Sequence, residues 1–164
     1  AIGVAREHPH STVYAFEPNP EMFECLKLNC PSAQLFNCGL YNQNRDMFLV
    51  SNDSNPGASF IADSAVDGSI PVPMVRLDDF EIPQVDFYKL DIEGSEVYAL
   101  LGSLKTIARC KPIIYYEVNK GCLMRYGLNE YATTDLLRSL GYTKFILMRG
   151  LEGSDQYDLI ATPK

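Results

Sequence analysis

The stretch that most constrains this chain reads Val85-Asp86-Phe87-Tyr88-Lys89-Leu90-Asp91-Ile92-Glu93-Gly94-Ser95-Glu96. Its first half, Val85 to Leu90, is mostly apolar or aromatic, which predicts a buried strand in a parallel sheet. Then the run turns acidic. Asp91 and Glu93 fall where the strand should end, and Gly94 permits a sharp turn into a helix that Gly94 or Ser95 can open and Glu96 suits electrostatically. Open α/β sheets hold ligands in the crevice beyond the carboxyl ends of their strands, so acids placed there point to a binding site.

The remaining segments fit around that strand. Ala1 to His8 reads as the end of a helix halted by Pro9. Thr12 to Phe16 is a short strand ending in Glu17-Pro18-Asn19-Pro20, and Asn19 can cap a helix that has Pro20 at its first position and runs to Pro31. Ala33 to Asn37 is a second strand leading into Cys38-Gly39-Leu40. Asp46 to Ser51 and Ser59 to Ala62 suit a hairpin with a long turn at 52–57, and Pro71 and Pro73 mark Val72 to Leu77 as an edge segment. The span from Tyr41 to Asp79 is thus an excursion between core elements. Beyond the central strand, Val97, Leu100, Leu101, Leu104 and Ile107 have a helical period over Ser95 to Cys110. Ile113 to Tyr116 is a strand ending in Glu117, Gly121 to Gly127 is a loop or short helical turn, and Glu130 to Leu140 is a helix capped from Asn129. Tyr142 to Met148 and Tyr157 to Ala161 form a closing hairpin. The expectation is a three-layer α/β sandwich with a mainly parallel sheet, one domain over residues 1–164.

Charge narrows the partners. With 21 acidic residues against 14 basic ones the net charge is -7, which argues against a nucleic-acid backbone or an anionic membrane as partner. No apolar run reaches the length of a membrane span and no signal peptide is evident, so the expected location is cytoplasmic. Five scattered cysteines without a C-x-x-C pair indicate reduced, buried thiols. His8 and His10 read as solvated loop residues.

If the strands are parallel, Glu17, Asp91 and Glu117 emerge along one edge of the sheet. A carboxylate in the position of Glu17 can accept both hydroxyls of a ribose, or it is a solvated turn acid beside two prolines. Asn37 suits an adenine edge or a strand-end cap. Asp91 and Glu93 admit three roles: general base toward a hydroxyl or amine, orientation of a donor's amino group, or, for Asp91 with Glu117 or Asn119, oxygen ligation of a hard cation. Glu96 reads as a helix N-terminal acid.

Three segments taken together resemble the FkbM-type family of S-adenosylmethionine-dependent methyltransferases: Val13 to Pro20 with Phe23, Leu26 and Asn29; Val85 to Glu96 with Leu101-Gly102; and Pro112 to Glu117. The resemblance implies a Rossmann-like class I methyltransferase sandwich with a terminal antiparallel hairpin. It implies S-adenosyl-L-methionine as cofactor, with Glu17 at its ribose, Asn37 and its neighbours near the adenine, and Asn19, Cys38, Gly39 and Asp91 completing the donor site. Asp91 and Glu93 are the implied catalytic pair. The expected reaction is O-methylation of a hydroxyl on a sugar or small metabolite, with no resident metal; in a magnesium-dependent variant the ligands would be Asp91, Glu117 and Asn119. The family's opening strand and glycine-rich turn are missing from this sequence, which suggests a fragment. A non-catalytic interaction domain, completed as a homo-oligomer by another copy's strand, is the alternative from a different class. Acceptor contacts are expected from the Tyr41 to Asp79 excursion and from the 119–127 loop with Arg125 and Tyr126.

Overall fold

A computed structural model describes residues 7–8, 10–51 and 59–164. The expected opening helix and the 52–57 turn lie outside the described residues, apart from Glu7 and His8. Among the described residues the elements from Tyr14 onward are, in chain order, β1 (Tyr14–Phe16), α1 (Pro20–Asn29), β2 (Gln34–Phe36), β3 (Gly39–Leu40), β4 (Arg45–Val50), β5 (Phe60–Ala62) and β6 (Ile70–Val75). A 3-10 turn, Leu77–Asp79, leads to β7 (Phe87–Leu90), α2 (Glu96–Leu101), α3 (Leu104–Cys110) and β8 (Ile113–Asn119). The chain closes with α4 (Lys120–Arg125), α5 (Ala132–Ser139), β9 (Tyr142–Gly150) and β10 (Gln156–Pro163).

The strands form three sheets where one mainly parallel sheet was expected. β1 and β2 pair in parallel; β7, β8, β10 and β9 lie in that order; and β3, β6, β4 and β5 make the third sheet. Pairing is mixed. β7 runs parallel to β8 and β3 to β6, whereas β8–β10, β10–β9, β4–β6 and β4–β5 are antiparallel. The closing hairpin, the 46–62 hairpin and the β-strand, acid, turn, helix order after β1 all match the sequence reading.

Four local expectations are corrected. β7 is at the end of its sheet, so it buries only Tyr88 and Leu90 while Phe87 stays 47% exposed. β6 is an interior strand despite its prolines: Pro71 and Pro73 are two apart, so their missing N–H groups fall on one side, and β3 reaches only Met74 and Val75. The long helix over 95–110 is broken at Gly102-Ser103. There the Asp78 carboxylate accepts from the backbone N–H groups of Lys105 and Thr106 and starts α3 afresh. Helix α5 begins later than predicted, because the Asn129 side chain accepts from Tyr131 N–H and holds one more turn outside it.

Two apolar clusters result. The larger joins Leu90, Ile114, Tyr116, Val118 and Leu159 on the strands to Ala99, Leu100, Ile107 and Leu137 on the helices. The smaller, formed by Tyr41, Met47, Leu49, Ile61, Val72 and Met74, gives the 41–79 excursion a core of its own. Tyr98 of α2 packs against it, stacked on Tyr41 with ring centroids 4.8 Å apart. At the same contact a Cβ on Gly102 would lie 1.9 Å from the Tyr41 carbonyl oxygen. Backbone cannot yield as a side-chain tip can, so Gly102→Ala is expected to cost about 2 kcal/mol or more, read as a lower urea midpoint. An unchanged midpoint would show that the two clusters are not docked as described. No helix among the described residues is long and apolar enough to cross a membrane.

Candidate functional site

The parallel register of β7 and β8 pairs Leu90 with Tyr116, so the next residues along each strand, Asp91 and Glu117, come out side by side. After Asp91 the chain turns sharply. Glu93 has φ 56 and Gly94 φ 99, both left-handed, and a Cβ on Gly94 would meet the Cys122 backbone at 2.6 Å. Only glycine lets α4 approach this closely, and that approach fixes the Glu93 carboxylate over the strand ends. Carboxylate oxygens of Asp91, Glu93 and Glu117 all lie within 4.8 Å of one another.

Each acid has a distinct set of partners. Lys89 Nζ is 2.6 Å from Asp91 Oδ2, and the Cys122 thiol donates to Glu93 Oε2 across 3.1 Å. Glu117 is 6% exposed; Gln156 donates to its Oε1, while its Oε2 is buried without a partner. Burial, followed by the negative charges of Asp91 and Glu93, raises the Glu117 carboxyl above its ordinary range and so favours its protonated form. The Asn119 side-chain oxygen caps α4 by accepting from Cys122 N–H. Glu93 comes into the cluster beside Asp91 and Glu117, which the sequence reading had paired for a cation.

Glu96 is the residue most underrated by sequence. It is 1% exposed, its Oε1 accepts from the N–H groups of Ile92 and Gly94, and its Oε2 is buried without a partner. Ser95 stands at the cap position, yet its hydroxyl donates back to Ile92 O and makes no capping bond. Burial pushes the Glu96 carboxyl up to about 7, against the two backbone donors and with some help from Glu117. In the unfolded chain the same carboxyl releases its proton near 4.5. The folded state thus binds the extra proton, and this group's contribution to stability is complete below pH 4.5 and lost as pH rises to about 7. In chelator, stability is expected to fall by on the order of 3 kcal/mol across that interval, and Glu96→Gln should flatten the slope. Urea midpoints at pH 5 and pH 8 provide the check; an equal slope in the variant contradicts the assignment.

The cavity in front of Asp91 and Glu93 measures about 750 Å³, within the range of small-molecule sites. Its walls come from β1 and the turn after it on one side and from residues 84–93 on the other, with Leu49, Phe60, Ile61 and Met74 of the excursion closing it. Glu17, Asn19, Gly39, Asp91 and Glu93 all line it. Glu17 is half-buried, and its Oε1 accepts from Asn19 N–H at 2.8 Å; burial raises its carboxyl and that hydrogen bond partly offsets the rise. Asn19 in turn caps α1, accepting from the N–H groups of Glu21 and Met22. Asn37 and Cys38 are not on the cavity wall. The Asn37 amide donates to the carbonyls of Glu17 and Pro18, bracing the turn that presents Glu17, and burial holds the Cys38 thiol up at about 11.

The expected acceptor residues divide similarly. Tyr126 donates to Ile61 O at 2.9 Å and Arg125 lies over the Phe60 ring, so both support the excursion wall. Tyr116 is core, hydrogen-bonded to Thr134, and Tyr115 donates to Asp158. Lys89, Cys122 and Gln156 were not singled out from sequence. Lys89 carried a signal, a lone cation alternating with buried residues just before the acids; Gln156 carried none, since it reaches Glu117 across the β8–β10 pairing.

Comparison with known proteins bears on the family and the fold. The family model described as "Methyltransferase FkbM domain" matches residues 3–143. "Methyltransferase 1" of Beauveria bassiana (strain ARSEF 2860) is 29% identical, the match covering 59% of this chain and 51% of that protein. The chain thus spans about half the length of this relative. The crystal structure of methyltransferase FkbM from Methylobacillus flagellatus KT superposes with a TM-score of 0.59 at 17% identity, over 97% of this chain and 39% of the other. At that identity the likeness is one of fold.

Proposed function

We propose that this chain, which belongs to the FkbM methyltransferase family, contributes to transfer of a methyl group from S-adenosyl-L-methionine to a hydroxyl oxygen of a sugar or small metabolite. The observation that carries the proposal is that Glu17 and the Asp91–Glu93 pair face one cavity from the ends of separate strands. In this reading the described sheets are parts of a Rossmann-like sandwich, and the cavity is its ligand crevice.

The residues suit the donor. Among the described residues Glu17 Oε1 accepts only from Asn19 N–H, which leaves the rest of a half-buried carboxylate to receive ribose hydroxyls. When bound, the donor supplies an electrophilic methyl on a sulfonium. The chain's own part is to hold the acceptor oxygen in line with that methyl, and orientation of this kind lowers barriers by several kcal/mol. As the oxygen forms its bond to the methyl carbon, the carbon–sulfur bond would break with its electron pair left on a neutral thioether, and the hydroxyl proton passes to the carboxylate of Glu93 or Asp91. Lys89 orients Asp91 and balances its charge, and the excursion wall screens the reacting atoms from water. A net charge of -7 suits neutral acceptors and argues against polyanions.

Incubation of the chain with labelled donor and a panel of carbohydrates and hydroxylated metabolites tests the reading. Label transferred to an acceptor oxygen is expected. Absence of both turnover and donor binding would overturn it and favour a non-catalytic interaction domain.

A further inference from the structure

We infer that Asp91, Glu93 and Glu117 form a binding site for one hard divalent cation, magnesium or calcium. Three carboxylate oxygens within 4.8 Å of one another, from Asp91 just after β7, Glu93 in the turn that follows and Glu117 on the adjacent parallel strand β8, offer the oxygen-only donor set that such cations take. The independent pointer is Glu117. Its side chain is 6% exposed, Gln156 occupies Oε1, and Oε2 has no partner although it is buried. A buried carboxylate oxygen left bare costs free energy that a cation would recover. Lys89 is the one cation paired with the three acids among the described residues. The carboxyl groups outnumber the one ammonium, and a divalent ion would offset the mutual repulsion that favours a proton on Glu117.

The supporting shell is already built. Gln156 fixes the Glu117 carboxylate, the Cys122 thiol fixes that of Glu93, and Gly94 lets the turn press against α4, so little ordering remains to be done on binding. The Asn119 side-chain oxygen is engaged in capping α4. Lys89 must release Asp91 Oδ2 or share it, which predicts that binding strengthens when Lys89 is replaced by Met.

The test is calorimetric titration of chelator-treated protein with magnesium chloride and, separately, calcium chloride, with neither donor nor acceptor present. It is therefore independent of the methyl-transfer reading. One saturable site is expected with at least one of the two ions, together with a rise in melting temperature. Glu117→Gln and Asp91→Asn should each weaken binding by about ten-fold or more. Glu24→Gln, on the exposed face of α1, should not. The exposed position of Asp91 makes its variant safe to read even if the buried Glu117 variant unfolds. No saturable heat with either ion, or affinity unchanged in folded Asp91→Asn, would overturn the proposal.

Discussion

Replacing Glu93 with Gln is expected to lower methyl transfer by about 10²- to 10⁴-fold while leaving donor affinity nearly unchanged. Gln keeps the length of the side chain and can still accept from the Cys122 thiol, so the turn around Gly94 should survive. What Gln cannot do is take a proton from an acceptor hydroxyl or hold a cation beside it. Because the loss falls on the chemical step, it should show in kcat, with little change in donor binding. Asp91→Asn is expected to act in the same direction, and a cation titration on both variants separates proton transfer from ligation. Unaltered turnover in Glu93→Gln would mean that this carboxylate does not touch the reacting atoms.

The second large effect is on donor affinity. Glu17 is the acid on the opposite wall, and hydrogen bonds from ribose hydroxyls to a half-buried carboxylate are charge-assisted. At roughly 1.5–3 kcal/mol for such bonds, Glu17→Ala should weaken binding of S-adenosylhomocysteine by about 10- to 100-fold. Glu17→Gln retains an acceptor for Asn19 N–H and with it the α1 cap geometry, so its loss should be intermediate. Equal affinity across all three proteins would remove Glu17 from the site.

The sequence was most informative where a local signal had a single structural outcome. Pro20 after Asn19 set the start of α1, Gly94 after two acids set the turn, and alternation with a terminal hairpin set β9 and β10. Sheet partitioning was not legible, because pairing of β8 with β10 and of β6 with β4 depends on contacts far apart in the chain. The break at Gly102 was hidden for the same reason: the helical period continues across it, and its causes, Tyr41 and Asp78, belong to the excursion. In the site, Asp91, Glu93 and Glu17 were readable from their places at strand ends. Glu96 stands in the first turn of α2 as read, but its burial was not legible, because an acid there is usually solvated and here accepts from Ile92 and Gly94 N–H inside the preceding turn. Asn37 has the strand-end position of an adenine contact, yet its amide is spent on the backbone of the Glu17 turn.

All of this rests on the cavity between β1 and β7 being a nucleoside-donor site. Calorimetric titration of this chain with S-adenosylhomocysteine addresses that most directly. The account predicts saturable one-to-one heat, diminished by Glu17→Ala. No heat, or heat indifferent to Glu17, would contradict it.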